Sequence, residues 1–153
     1  MAQYAFVGSA TLPLTEAECL SCLRQVGVGR LGVTWNAMPV ILPVNFVLDG
    51  AQRIVVRTAA GTKLSAATAG RVVAFEVDGY DTMSHGGWSV LVQGRSQVLR
   101  DPDEIAWAQK LPLNSWANEA AEEFVTVAIE VLSGRRIDHG GLGPSISRGA
   151  PED

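Results

Sequence analysis

The chain has 153 residues, a formal net charge of −4 and a hydrophobic fraction of 47 %. This length fits one domain with a sizeable core, and the excess of acidic residues argues against a surface that binds nucleic acid. Neither a basic, apolar leader nor a run of about 20 apolar residues occurs in the sequence, so we predict a cytoplasmic protein that does not enter a membrane.

The first segment with a clear pattern is LTEAECLSCLRQVG, which predicts a helix. Thr15 and Glu18 have the spacing of a capping box, and apolar residues recur behind them on one face. Cys19 and Cys22 form a C-x-x-C motif, which could be a redox pair or half of a zinc site. Since no second C-x-x-C follows and the pair lies inside the helix rather than at its first turn, we interpret both as half-buried structural cysteines.

The next segment, GVGRLG at positions 27–32, has the G-x-G-x-x-G spacing of a dinucleotide-binding loop. A dinucleotide-binding loop follows a strand and opens a helix. Here the predicted helix comes first, and a stretch rich in β-branched residues, RLGVTWNAMPVILPVNFVLDG, comes afterwards. The motif therefore predicts the end of a helix and the start of a strand pair, and no nucleotide site.

Four further segments have the composition and alternation of strands: QRIVVRT, RVVAFEVD, GWSVLVQGRSQVL and FVTVAIEVLSGRRI. Two short helices are predicted between them, TKLSAATA and DPDEIAWAQKL. Six strands joined mostly by tight turns favour a mainly β (α+β) fold, a closed antiparallel barrel with a few short flanking helices. We place the barrel domain at residues 1–138 and a flexible C-terminal tail at residues 139–153.

The segment RTAAGTKL is the best candidate for a binding site. Arg57 and Lys63 supply positive charge, and Thr58 and Thr62 supply hydroxyl donors around a small, flexible loop that leads from a strand into a helix. This combination is typical of a phosphate site. An ordinary strand-to-helix connection with solvated basic side chains is the alternative.

The residues give no catalytic constellation. The two histidines, His85 and His139, lie in no nucleophile motif, and no metal site is predicted. Glu76 alternates with apolar neighbours on a predicted strand, and we expect it to face solvent. If the protein is an enzyme, a bound cofactor should therefore carry the chemistry.

Six short segments occur in a characteristic order: GRLGV, PVILPVNF, RTAAGTKL, VAFEVD, GWSVLVQGR and SGRRI. In this order the chain resembles the FMN-binding split barrel of the pyridoxamine 5'-phosphate oxidase-like superfamily, which includes nitroimidazole reductases. The resemblance runs from Leu14 to Ile137 and implies a six-stranded antiparallel split β-barrel.

The resemblance also implies which residues bind the cofactor. The phosphate would be held by Arg57, Thr58, Thr62 and Lys63, and the isoalloxazine ring would lie along Pro43, Val44 and Asn45. Further contacts are implied for Trp88, Ser89 and Arg136, with Arg135 beside the last. A core position for Trp88 and a solvent-facing one for Arg136 are the alternatives.

By the same resemblance, the protein is expected to be a flavin-dependent oxidoreductase that transfers hydride between FMN and a small planar substrate. It would be a homodimer with the cofactor at the subunit interface. A deazaflavin coenzyme or haem could replace FMN, and a non-enzymatic carrier on the same barrel is the alternative function. Oxidation of vitamin B6 is not expected, because the additional basic residues for the substrate's own phosphate are missing.

Overall fold

The structure is a computed structural model that describes residues 9–83, 85–113 and 122–139. Most of the tail predicted at 139–153 lies outside these ranges, with only His139 inside them. The elements in chain order are β1 (Ser9–Pro13), α1 (Glu16–Gln25), β2 (Val28–Trp35), β3 (Met38–Asp49), β4 (Arg53–Ala59), α2 (Lys63–Thr68), β5 (Val72–Tyr80), β6 (Gly87–Val98), α3 (Pro102–Ala108), β7 (Glu122–Ala128) and β8 (Val131–His139).

Six of these strands form a closed antiparallel barrel. The strands follow the order β6-β5-β2-β3-β4-β7, and a further pairing between β6 and β7 closes the ring. Strands β8 and β1 extend the sheet beyond β6, outside the closed ring. The predicted barrel with short flanking helices is confirmed, since the described residues contain three helices of 6 to 10 residues.

Helix α1 begins as its sequence predicts. The Thr15 side chain accepts a hydrogen bond from the Glu18 N–H, and the Glu18 carboxylate accepts one from the Thr15 N–H at 2.8 Å. The helix ends at Gln25 and β2 begins at Val28, so the glycine-rich motif joins a helix to a strand, as predicted. The buried face of the helix packs against β8, where the Sγ of Cys19 lies close to the backbone of Gly134.

The barrel interior is filled by the inward-facing residues of its strands together with the buried face of α1. Phe75 and Phe46 meet edge to face, with ring centroids 4.8 Å apart. The ring of Phe75 also lies on the backbone of Gly29, where any side chain would overlap it. Gly29, the second glycine of the G-x-G-x-x-G spacing, therefore has a packing role.

A second, smaller core lies outside the barrel, between α3 and the outer face of β4 and β7. Its buried residues are Val55, Leu99, Ala108, Leu113 and Phe124. Because α3 covers this face, Val55 is fully buried although its neighbours Ile54 and Val56 point into the barrel. The second core brings Leu113 and the start of β7 close to Arg57 at the end of β4.

The last predicted strand, FVTVAIEVLSGRRI, is two strands. Strand β7 ends at Ala128 and β8 begins at Val131, so the alternation that runs through both does not mark one inward face, and Val131 is 53 % exposed. At this break the carbonyl of Ala128 approaches Gly94 of β6 so closely that no Cβ could fit there. The chain leaves the barrel at this close contact between the two backbones. A sequence pattern within the segment cannot predict the contact, because Gly94 belongs to another strand.

Candidate functional site

The pairing registers bring most of the predicted site residues to one level of the barrel. Val44 pairs with Gly29 and Asn45 with Val28 across β2 and β3. Strand β2 pairs with β5 at Arg30–Glu76, and two positions further along these strands Asp78 pairs with Ser89, which in turn pairs with Arg135. The β3 residues predicted to contact the flavin ring therefore lie at the same level of the sheet as the predicted β6 residues, with β2 and β5 between them.

At this level strands β3 and β4 separate. Their ladder begins at the pair Phe46–Val56, so Pro43–Asn45 and Arg57–Thr58 lie just beyond it. The Phe46 N–H bonds to the Gly27 carbonyl on the β2 side, and alternation then places Pro43 at a non-hydrogen-bonded position opposite Arg30. Proline has no N–H to offer the open edge, which discourages another strand from pairing there. The β3–β4 ladder therefore ends beside the predicted phosphate loop.

The loop itself is ordered by its two threonines. Thr58 is buried, and its Oγ1 lies 3.3 Å from the Oγ1 of Thr62. Thr62 caps α2 by accepting a hydrogen bond from the Ser65 N–H, and the Ser65 hydroxyl donates to the Thr62 carbonyl at 3.2 Å. Lys63 is the first residue of α2, and Gly61 has a positive φ of 69°. The loop thus presents two hydroxyls side by side at the end of β4.

Arg57 is paired within the protein. Its Nη2 donates to Oε1 of Glu122, and its Nη1 donates to the carbonyl oxygen of Leu113 at 2.8 Å. The guanidinium also lies over the ring of Phe124, 6.0 Å from its centroid. Its Nε is buried and has no hydrogen-bond partner in the described part of the chain. A phosphate at this arginine would therefore have to share the guanidinium with a carboxylate.

Trp88 and Arg136 face each other across β6 and β8 and line one pocket of about 430 Å³. This volume is typical of small-molecule sites. Trp88 is only partly buried, so it is not a wholly enclosed core residue, and Arg136 is exposed. The remaining walls are Gly79, Tyr80, Asp81, Gly86, Gly87 and Ile137. Ser89 and Arg135, one residue along each strand, point to the opposite face of the sheet.

Sequence reasoning missed two of the residues that shape these surroundings. Tyr80 lines the pocket, and its hydroxyl lies 3.2 Å from Nδ1 of His85. Glu122, the partner of Arg57, is separated from it by 65 positions in the sequence. The alternation that ends in Tyr80 could have identified an aromatic residue at the strand end, but no local signal indicates the partner of Arg57.

Two carboxyl groups outside the loop have shifted pKa values. Hydrogen bonds from Thr15 hold the pKa of Glu18 below its ordinary value, and Arg136 adds to this effect with a nitrogen 4.0 Å from the carboxylate. Glu76 lies on the outer barrel face, as expected, where it pairs with Arg30 at 3.2 Å. Partial burial, followed by the nearby charge of Asp78, raises the pKa of Glu76.

The cysteines are more deeply buried than the helix pattern predicts. Cys19 is 1 % and Cys22 9 % exposed, and neither is in a disulfide. Burial raises the pKa of both thiols, and for Cys19 the neighbouring Cys22 raises it further. Throughout residues 9–83, 85–113 and 122–139 there is no cluster of three or more residues that could hold a metal ion. No helix in those ranges is long and apolar enough to cross a membrane.

Comparison with known proteins gives relatives over most of the chain. An uncharacterized protein of Mycobacterium tuberculosis, Rv0080, is 38 % identical over 130 residues, which cover 81 % of this chain and 84 % of that protein. A solved FAD-binding protein of Mycobacterium smegmatis is 35 % identical, with a TM-score of 0.70 over 82 % of this chain and 98 % of that one. A FAD-binding protein of Mesorhizobium loti is 25 % identical, with a TM-score of 0.67 over 86 % and 99 %.

The sequence profile that describes the family Pyridoxamine 5'-phosphate oxidase matches residues 15–136. This range begins at the Thr15 cap of α1 and ends at Arg136 of β8, so it includes the whole barrel and both candidate binding regions. The chain therefore belongs to the pyridoxamine 5'-phosphate oxidase family.

Proposed function

We propose that this protein is a flavin-dependent oxidoreductase that transfers hydride between its bound flavin and a small planar substrate. One observation carries the proposal. Pro43–Asn45 and Ser89 lie at the same level of the barrel, next to the end of β4 that contains Arg57 and leads into the predicted phosphate loop. Membership of the family and the FAD-binding relatives support a flavin as the ligand.

The phosphate end of the cofactor would be bound by the loop from Arg57 to Lys63. Since the hydroxyls of Thr58 and Thr62 are hydrogen-bonded to each other, one of them can donate to a phosphate oxygen while the other donates to its neighbour, and Lys63 adds a positive charge. Arg57 contributes to the extent that Glu122 leaves its guanidinium available. FMN is the flavin that the sequence resemblance implies.

The pocket of Trp88 and Arg136 would receive the ring of the cofactor or the substrate. An indole offers a flat apolar surface to a planar ring, and a guanidinium can pair with a carbonyl or an anionic substituent. In the closed barrel the pocket strand β6 is separated from β4 by β7 on one side and by β5, β2 and β3 on the other.

We also propose a homodimer that places the cofactor between its subunits, as the family resemblance implies. The outer face of strands β3, β2, β5, β6 and β8 carries exposed apolar side chains around the Arg30–Glu76 ion pair. Its exposed apolar members include Val28, Ile41, Val72 and Val131. An apolar patch of this kind on a soluble protein marks an interaction surface. A second copy of the chain is its proposed partner.

When bound, the flavin would supply the hydride chemistry, while the protein binds it, orients it and limits access of water. The sequence contains no motif that identifies a catalytic side chain, which is why a non-enzymatic carrier of flavin, deazaflavin or haem is kept as the second candidate. The two candidates differ in turnover. An enzyme should reoxidise its reduced flavin rapidly with some acceptor, such as a quinone or a nitro compound, whereas a carrier should not.

The test begins with the purified, cofactor-stripped protein, titrated with FMN, FAD and a deazaflavin coenzyme and followed by fluorescence. Lys63→Ala should weaken binding of the phosphate-bearing flavins by about tenfold or more, since a charge-assisted contact is worth roughly 1.5–3 kcal/mol. Lys110→Ala, a change of the same type at the end of α3, is the matched control and should have no effect. Absence of binding by every flavin tested would rule out the proposal.

A further inference from the structure

We propose that Glu122 sets the phosphate specificity of the cofactor loop. By holding the guanidinium of Arg57, it disfavours the doubly charged phosphate monoester of FMN relative to the diphosphate of FAD, in which each phosphate carries a single charge. The inference rests on the proposed function, because it takes the loop that starts at Arg57 as the phosphate site.

The first observation is that the Arg57–Glu122 pair is enclosed. The two side chains are 22 % and 16 % exposed. Arg57 is fixed further by its bond to the Leu113 carbonyl at 2.8 Å and by the ring of Phe124. Screening by water is weaker for such a pair than for one on the open surface, so the carboxylate competes effectively with any other anion for this arginine.

The second observation concerns a neighbouring carboxylate. In the β4–β7 ladder Glu122 lies opposite Ala59 and Glu123 lies opposite Thr58. Oε2 of Glu123 is buried and has no hydrogen-bond partner in the described part of the chain. Because neighbouring residues alternate between the faces of a strand, Glu122 shares the face of Arg57 and Glu123 shares the face of Thr58, so each face of this strand end carries a carboxylate.

Glu122 and Glu123 discriminate between phosphates by the negative charge that lies beside them. A phosphate monoester carries about −1.5 to −2 at pH 7, because its second pKa is about 6. Each phosphate in a diphosphate diester carries one negative charge and has no second proton to lose. Repulsion by Glu122 and Glu123 acts on the whole charge of the FMN phosphate but mainly on the nearer phosphate of FAD, so it weakens FMN more than FAD, and it leaves riboflavin unaffected.

The experiment compares FAD, FMN and riboflavin in fluorescence titrations of the cofactor-stripped protein at pH 8. The wild type should bind FAD more tightly than FMN. Glu122→Gln should tighten FMN about tenfold, in line with the release of one charge-assisted contact, with a smaller gain for FAD and none for riboflavin. Glu104→Gln is the matched control, because Glu104 pairs with Arg53 at 3.2 Å near the far end of β4.

A second measurement needs no variant. Between pH 8 and pH 5.5 the FMN phosphate takes up a proton, so the preference of the wild type for FAD should shrink. A gain for FMN in Glu122→Gln no larger than the gain for riboflavin would overturn the inference and leave the proposed function intact. So would a preference that stays constant with pH, which decides the matter if Glu122→Gln does not fold. If the wild type binds none of the three flavins, the proposed function fails, and this inference fails with it.

Discussion

The indole of Trp88 lies directly against the backbone of Gly79, its partner in the β5–β6 ladder. A Cβ on Gly79 would come within 2.7 Å of both Cε2 and Nε1 of the indole. Both residues line the candidate pocket. The glycine therefore fixes how far the indole can withdraw from the space that a ligand would use.

Gly79→Ala should push Trp88 into the pocket and weaken flavin binding. The added methyl overlaps a rigid ring rather than the end of a flexible side chain, so the indole or the strand has to move. We expect a loss of about 1–3 kcal/mol in the free energy of unfolding, measured by urea denaturation, as is usual for overpacking. The affinity for FMN and FAD, measured by fluorescence, should fall by about tenfold if the ring rests on Trp88.

Gly27→Ala is the control for this change, since a Cβ at Gly27 would meet no atom within 4 Å. A Gly79→Ala protein that loses stability but keeps its flavin affinity would show that Trp88 is only a packing residue. That outcome would also remove the pocket from the proposed cofactor site.

Ile41→Glu should convert the proposed homodimer into a monomer. Ile41 is 71 % exposed on the outer face of β3, opposite Gly32 of β2. If a second copy covers this face, a carboxylate placed there would be buried without a partner, which is strongly unfavourable. The molar mass from light scattering at micromolar concentration should fall from that of two chains to that of one.

Met38→Glu is the matched control for the dimer test. Met38 is also exposed, but it pairs with Trp35 at the end of the β2–β3 hairpin and lies on the opposite face of β3 from Ile41. Its substitution should leave the molar mass unchanged. A wild-type protein that is already monomeric at these concentrations would refute the homodimer.

The cysteine pair should be chemically inert in the folded protein. The thiolate is the reactive form, and burial raises the pKa of both thiols while it also blocks access by a reagent. Ellman's reagent should modify both cysteines rapidly in urea, and at least about 100-fold more slowly in buffer at pH 8. Rapid modification of the native protein, or ready formation of a Cys19–Cys22 disulfide without unfolding, would contradict the structural interpretation of the C-x-x-C motif.

The parts of the fold that the sequence predicts well are those whose cause is local. The capping box of Thr15 and Glu18, and Asp101 with Pro102 at the start of α3, each act within one turn of helix, and both helices begin where predicted. The order of helix and strand around residues 27–32 was likewise enough to reject a dinucleotide loop, and the structure agrees.

The features that sequence reasoning missed depend on contacts between distant positions. The alternation of Val125, Val127, Ile129 and Val131 continues through the break between β7 and β8, where the backbone of Ala128 meets Gly94 of another strand. The charge of Arg57 was identified, but not the carboxylate of Glu122 that holds it. A phosphate site can thus be suggested by a loop's composition, while its affinity depends on groups that only the fold brings there.

The pKa shifts of Glu76 and Glu18 predict opposite pH dependences. Partial burial raises the pKa of Glu76 above its usual 4.5. A raised folded-state pKa means that this carboxyl contributes most to stability below about pH 4.5, and that the contribution is lost as the pH rises through the folded-state value. Glu76→Gln keeps the neutral form at every pH, so its stability relative to wild type should increase with pH across this window.

For Glu18 the sign is reversed. Its pKa is lowered by the hydrogen bonds from Thr15, so its contribution is present above pH 4.5 and is lost as the pH falls through the folded-state value. The stability of Glu18→Gln relative to wild type should therefore decrease as the pH rises. Urea denaturation of both variants and the wild type, from pH 3 to pH 8 at one protein concentration, measures the two slopes. Equal signs would show that one of the two carboxyl groups does not have the surroundings described here.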